Sequence, residues 1–218
     1  MSYQIAIDGP AGAGKSTIAR QVAKIKNFIY VDTGAMYRAM AYYLLSEKVN
    51  PEEEEAVSKE CLGAHITIEY QNGEQVVLLN GKNVNGVLRT EEVGNMASVT
   101  SKNKKVRERL TQLQKELAQT NNVVMDGRDI GTCVLPHADV KVYLTASAAV
   151  RAKRRYDELA AKGETCDIKK IEEDIVKRDE QDMNREIAPL KQAEDAVLID
   201  SSDMTIEEVV KAILDLCR

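Results

Sequence analysis

Nine consecutive residues carry the most specific chemistry in this chain: Gly9-Pro10-Ala11-Gly12-Ala13-Gly14-Lys15-Ser16-Thr17. They match the pattern G-x-x-x-x-G-K-[ST]. Glycines at these places let the backbone turn several N–H groups inward, opening an anion nest at the start of the next helix. Lys15 would reach the outer phosphates of a nucleotide, and the Ser16 hydroxyl would serve Mg²⁺. The flanks agree, with a strand-like run (Gln4–Asp8) before the loop and a helical segment from Lys15 to about Lys26 after it. GTPases, motor ATPases and small-molecule kinases all share such a loop, so it fixes a phosphate chemistry without choosing a reaction.

Three further clusters narrow the choice. Asp32-Thr33-Gly34-Ala35-Met36-Tyr37-Arg38 places a hydroxyl and an arginine just after a second strand, where ligands of open α/β sheets gather. Thr33 reads as a helix N-cap, and Thr33 with Arg38 would also suit a phosphate. Asp126-Gly127-Arg128-Asp129-Ile130-Gly131 ends a third strand. Asp126 stands where an acidic group serves the Mg²⁺ shell, while Asp129 could accept from the exocyclic amine of cytosine, which the keto oxygen of uracil cannot offer. Arg178, Asp182 and Arg185 fall within roughly 60° of one another on one helical face. Arg151, Lys153, Arg154 and Arg155 crowd four cations into five residues after a fourth strand. Read alone, each of these charge clusters fits a solvated face with i,i+4 ion pairs, and G-R-D fits a turn with a surface ion pair. Beside a phosphate loop they suit clamps for charge on a transferring phosphoryl group.

Short apolar runs position these residues: Tyr3–Asp8, Phe28–Asp32, Val123–Asp126, Val140–Leu144 and Val197–Asp200. Continuous runs of this length suit strands buried on both faces of a parallel sheet. Helical patterns alternate with them. Val106, Leu110, Leu113 and Leu117 form one stripe, and Thr205-x-x-Glu208 is a capping box opening a last helix. The alternation indicates a doubly wound α/β fold. His65–Val84 breaks it, because Asn72-Gly73 and Asn80-Gly81 supply the positive φ angles of two tight hairpins. A small inserted antiparallel meander is expected there, and the Glu52–Glu55 run before it reads as a solvated helix start after Pro51.

Composition excludes several classes. The 218 residues hold 30 Lys+Arg against 35 Asp+Glu, a formal charge of −5, which speaks against a binder of nucleic-acid polymers. There is no Trp and one Phe, so no aromatic platform for single strands is expected. Four scattered cysteines and two histidines, with no C-x-x-C, fit reduced thiols in a cytoplasmic protein rather than disulfides or a zinc site. No run approaches a membrane span, and the N-terminus does not read as a signal peptide.

Taken in order, residues 7–17, 32–38, 89–98 (RTEEVGNMAS), 126–132 (DGRDIGT) and 178–190 (RDEQDMNREIAPL) resemble the bacterial cytidylate kinase family of P-loop nucleoside-monophosphate kinases. The resemblance implies a P-loop NTPase core with a five-stranded parallel sheet flanked by helices. To this it adds an inserted monophosphate-binding lobe with a small antiparallel sheet, and a short lid. It divides the chain, a single kinase unit, into a core (1–38, 105–150, 168–218), an insertion (39–104) and a lid (151–167). It implies transfer of the γ-phosphoryl group of ATP to CMP or dCMP with Mg²⁺, by a monomer acting without a nucleic-acid or membrane partner. By resemblance Gly9 to Thr17 and Arg155 hold ATP, with Ser16 and Asp126 toward the metal. Thr33, Arg38, Arg128 and Arg185 hold the CMP phosphate, Ser98, Arg107 and Asp129 read the base, and Arg178 and Asp182 engage the ribose. Lys15, Arg128, Arg151, Arg154 and Arg185 are the expected catalytic groups. Thr33 stands where relatives often carry Ser, and Ser16 where some carry Gly; both keep or add a hydroxyl.

Two rival readings remain to be separated. One is another small-molecule kinase, for adenylate, shikimate or gluconate, from which Ser98, Arg107 and Asp129 discriminate. The other is a GTP-dependent switch, which requires an N-K-x-D element that this sequence lacks.

Overall fold

The computed structural model describes residues 2–217. In chain order the elements begin β1 (Gln4–Asp8), α1 (Lys15–Lys26), β2 (Ile29–Asp32), α2 (Thr33–Ser46) and α3 (Glu54–Glu60). Next come β3 (Ile66–Gln71), β4 (Glu74–Leu79), β5 (Lys82–Asn83), α4 (Glu91–Thr100), α5 (Lys104–Thr120) and β6 (Val123–Gly127). The chain closes with β7 (Val140–Thr145), α6 (Ala148–Ala161), α7 (Ile168–Asn184), β8 (Val197–Asp200) and α8 (Ile206–Leu216).

Five strands form one sheet in the order β2-β6-β1-β7-β8, and the three pairs from β6 to β8 are parallel. This is the parallel α/β core that the apolar runs indicate. The chain divides into two compact units. One, here the meander unit, takes in Ile29–Asn121; the other, the sheet unit, takes in Tyr3–Phe28 and the chain from Asn122 onward.

In the sheet unit, Ile5, Ala6 and Ile7 of β1 and Val123, Val124 and Met125 of β6 are wholly buried. Strands covered on both faces need no polar alternation, hence their unbroken apolar sequences. Helix α1 buries Ile18, Ala19, Val22 and Ala23, and α8 buries Val209, Val210 and Ile213 behind the expected Thr205–Glu208 capping box. Strand β8 departs from the rule. Only Ile199 is buried, while Val197 and Leu198 are exposed, because β8 is the sheet edge and has a neighbour on one side alone.

In the meander unit, β3, β4 and β5 form the expected antiparallel sheet. Asn72-Gly73 and Asn80-Gly81 turn it with φ of 54° and 79°, then 49° and 80°. The buried side of α5 lies a little off the apolar stripe. Val106 and Leu110 are buried as expected, but Arg107, Gln114 and Ala118 complete that face, and Leu113 and Leu117 are its half-buried flank. The acidic run opens α3, with Glu54 and Glu55 in its first turn. Thr33 is not the cap of α2. Asp32 is, its Oδ1 accepting from the N–H of Ala35 at 2.9 Å, so that Thr33 becomes the first helical residue.

Candidate functional site

The phosphate loop leaves β1 and enters α1 through backbone that only glycine can supply. A Cβ on Gly9 would sit 1.9 Å from the carbonyl oxygen of Leu144. Gly14 occupies the N-cap of α1 at φ 86°, and no side chain caps this helix. No acidic residue lies in its first turn either, so the helix dipole and the leading N–H groups suit an anion. Lys15, one residue on, is buried and donates from Nζ to the carbonyl of Pro10 at 2.7 Å. Burial pulls its pKa down to about 7, Arg128 adds to that, and Asp126 and Asp8 oppose it. The Ser16 hydroxyl donates to Oδ2 of Asp126 at 2.8 Å, bringing the loop hydroxyl and the strand-end carboxylate together as their sequence positions required.

Asp8 ends β1 next to the loop and was not singled out by sequence. Its carboxylate accepts from the N–H of Ile130 at 2.8 Å and of Gly131 at 2.7 Å, which fixes the turn after Arg128-Asp129. Burial raises its pKa to about 6, although those two amides pull the other way. A carboxylate that closes an apolar strand must find donors, and this was the signal available.

Three arginines of the sheet unit, Arg128, Arg185 and Arg151, face two carboxylates on α7, Asp182 and Asp179. Arg128 donates from Nε to Asp182 Oδ2 at 2.7 Å. Burial alone would lower the pKa of Arg128, but Asp182, with Asp126 and Asp179, outweighs it and the net shift is upward. Burial opposes ionisation of Asp182 as well, yet Arg128 leads the cations that hold its pKa below the ordinary value. Arg185 lies beyond the last helical turn as the C-cap of α7, in extended backbone. Its Nη1 still sits 3.7 Å from Asp182, its Nη2 3.8 Å from Asp129, and its Nε donates to the carbonyl of Ala188 at 2.7 Å. Arg178, Asp182 and Arg185 therefore cluster as their spacing suggested, although Arg185 reaches the group from outside the helix.

Asp179, also missed by sequence, takes Arg151. The Arg151 guanidinium is buried, and each of its three nitrogens has a partner. Nη2 meets Asp179 Oδ2 at 2.6 Å, Nη1 donates to the carbonyl of Ala11 in the phosphate loop at 2.8 Å, and Nε to that of Ala146 at 2.9 Å. Arg154 turns instead to Ser201, donating to its carbonyl at 2.7 Å. Arg155 is exposed and pairs with Glu158 at 2.8 Å, beside the exposed Lys153–Asp157 pair. The basic run is thus a solvated face on one side of α6 and a strut on the other. Its four cations do not converge.

In the meander unit, Thr33 opens α2 and is buried. Gly34 beside it would bring a Cβ to 3.2 Å from both Arg38 Nη1 and Asp32 Oδ1, so the Arg38 guanidinium lies over the first turn of the helix. Arg107 is buried on α5 and stacks above the ring of Tyr37 at 5.6 Å. Ser98 is half-buried on α4, and its carbonyl accepts from the Ser101 hydroxyl at 3.0 Å. Tyr37 was not marked as a positioning residue, yet it stands next to Arg38 in the same motif.

A family model described as cytidylate kinase matches residues 5–218. The chain belongs to the cytidylate kinase family. A cytidylate kinase of a Geobacillus strain is 46% identical over 215 residues, covering 99% of this chain and 96% of the relative. One from Caldicellulosiruptor bescii is 48% identical over 212 residues, covering 97% and 94%. Among solved structures, shikimate kinase from Bacteroides thetaiotaomicron aligns with a TM-score of 0.50 at 14% identity, covering 98% of this chain and 97% of that one. At that identity the likeness concerns the P-loop kinase fold alone. Family membership makes the chain a phosphotransferase, and the expectation drawn from the ordered motifs is borne out.

Proposed function

We propose that this chain transfers the γ-phosphoryl group of ATP to CMP or dCMP, giving ADP and the diphosphate. The observation that carries the donor half is the Ser16–Asp126 contact at 2.8 Å beside the buried Lys15. Phosphoryl transfer asks mainly for alignment and charge neutralisation, and no general base with a tuned pKa is required. The loop residues Gly9, Pro10, Ala11, Gly12, Ala13, Gly14, Lys15, Ser16 and Thr17 hold the ATP phosphates, with Arg155 toward the nucleotide. Thr33, Arg38, Arg128 and Arg185 hold the CMP phosphate. Ser98, Arg107 and Asp129 read the base, and Arg178 and Asp182 the ribose. Lys15, Arg128 and Arg185 carry charge stabilisation, with Arg151 and Arg154 in support from α6.

Mg²⁺ suits the residues present. Ser16 and Asp126 offer two hard oxygens side by side. Among the described residues no cluster of three His, Cys, Asp or Glu side chains forms a dedicated metal cage. An ion that keeps its waters and binds phosphate oxygens with one or two protein ligands matches that donor set. When bound, it would neutralise the β- and γ-phosphate oxygens.

Residues 39–104 act as an insertion and residues 151–167 as a lid on the core of 1–38, 105–150 and 168–218, each moving to exclude water. The enzyme works as a monomer in the cytoplasm. Free thiols at all four cysteines are in keeping with a reducing compartment, and no described helix is long and apolar enough to cross a membrane. ADP release measured with CMP, dCMP, UMP, AMP, shikimate and gluconate tests the reading. Release dependent on CMP or dCMP is the expected outcome; release with any other acceptor in preference, or none, would overturn it.

A further inference from the structure

Asp32, the residue before Thr33, has each of its polar groups held. Its Oδ1 caps Ala35, and its Oδ2 accepts from Arg89 Nη2 at 2.8 Å. Both of its backbone groups go to one side chain on the meander. The Asp32 N–H donates to Gln75 Oε1 at 2.9 Å, and Gln75 Nε2 donates to the Asp32 carbonyl at 3.2 Å. A primary amide pairing with both groups of one residue copies a single rung of a β-ladder. The device repeats one step further out. Asn85 Oδ1 accepts from the N–H of Val77 at 2.9 Å, and its Nδ2 donates to the carbonyl of Gln75 at 2.8 Å. Two side-chain rungs in series thus run from the meander to the residue that precedes Thr33.

We propose that Gln75 is a positioning residue for the acceptor phosphate: it fixes the Asp32–Thr33 peptide, and so sets where the Thr33 hydroxyl and the first turn of α2 meet CMP. The inference rests on the proposed role of Thr33 and Arg38. Its physical basis is that misplacement of a binding group by about 1 Å costs up to about a hundredfold in a positioned reaction. Gln75 touches no group assigned to ATP. Its loss therefore acts on the acceptor alone. A residue that works through another also shows non-additive effects when both are removed.

The test is a double-mutant cycle of Gln75→Ala and Thr33→Ala, read as KM for CMP, KM for ATP and kcat in the full chain. Gln75→Ala should raise KM for CMP about tenfold and leave KM for ATP within about twofold. The double variant should fall well short of the product of the two single effects. Tyr70→Phe is the control, because Tyr70 ties the same meander to the carbonyl of Tyr30 at 3.2 Å without touching Asp32. It should lower the melting temperature and leave KM for CMP unchanged. An unchanged KM for CMP in Gln75→Ala, an equal rise for ATP, multiplicative effects in the cycle, or the same rise in Tyr70→Phe would each overturn the proposal. If Gln75→Ala does not fold, Asn85→Ala removes the outer rung and is read by the same criteria. Should Thr33→Ala itself leave KM for CMP untouched, the acceptor assignment falls. Should Thr33→Ala raise it while Gln75→Ala does not, only the clamp falls.

Discussion

Helices α1 and α2 each start close behind a β-strand, yet their first turns are built in opposite ways. Helix α1 is capped by Gly14, which has no side chain to offer, and the positive groups nearby are buried charges whose pKa values are displaced. Helix α2 is capped by the carboxylate of Asp32, and that residue is fixed in turn by the neutral amide of Gln75. An uncapped N-terminus leaves backbone N–H groups for a polyanion. A capped one has its leading donors partly spent, so under the proposed roles the work on a smaller anion would pass to the side chains Thr33 and Arg38. In these terms the phosphate loop, the proposed donor half, is held by charge, and the first turn of α2, the proposed acceptor turn, by hydrogen-bond geometry.

Three substitutions test the contrast. Lys15→Met has the largest effect expected, a fall in kcat of roughly a thousandfold with the fold intact, since a preorganised charge at the transferring group is lost. The same change should flatten the pH dependence of stability. Burial lowers the Lys15 pKa from 10.5 to about 7, so between those values the unfolded chain binds more protons than the folded one. Stability then rises with pH across that window, and the full cost of the buried charge is borne below it. Melting curves from pH 7 to 10 should show the rise in the wild-type chain and less of it in Lys15→Met; parallel curves would contradict the assignment.

Asp179→Asn follows. It leaves the buried Arg151 without its anion, and breaking such a pair costs about 3 kcal/mol or more. The melting temperature should drop by about 6–12 °C. KM for ATP should rise as well, because Arg151 also holds Ala11 of the phosphate loop. Asp32→Asn, the matching change on the acceptor side, should have the smallest effect. Asn caps a helix as well as Asp does, and the ion pair it loses is with Arg89, whose side chain is 62% exposed. A change of more than about 1 kcal/mol in stability, or a KM for CMP raised as far as by Gln75→Ala, would erase the distinction between the two halves.

How far these halves could be read from sequence follows the range of their contacts. The phosphate loop and the two Asn-Gly turns were legible because each depends on backbone angles set within a few residues. The Ser16–Asp126 contact was legible through its motif, although 110 residues separate the partners. Asp8 and Asp179 were not, since their value lies in the amides of Ile130 and Gly131 and in Arg151, which only the fold brings near. Gln75 was invisible for a stronger reason. Its partner is the backbone of Asp32, which carries no signature in any side chain. Arg151, Arg154 and Arg155 look alike in sequence, and only rotation about α6 makes one a strut and another a solvated pair.

Selection of cytosine by Asp129 is the central claim, and it is tested most directly by kcat/KM for CMP and for UMP in the wild-type chain and in Asp129→Ala. Asp129 is buried, next to the turn that Asp8 fixes. A site built to accept from the base amine loses its discrimination when the acceptor is removed. The account predicts a strong preference for CMP in the wild type, with the ratio collapsing at least tenfold in Asp129→Ala and mostly through KM. An unchanged CMP-to-UMP ratio in the variant would contradict it.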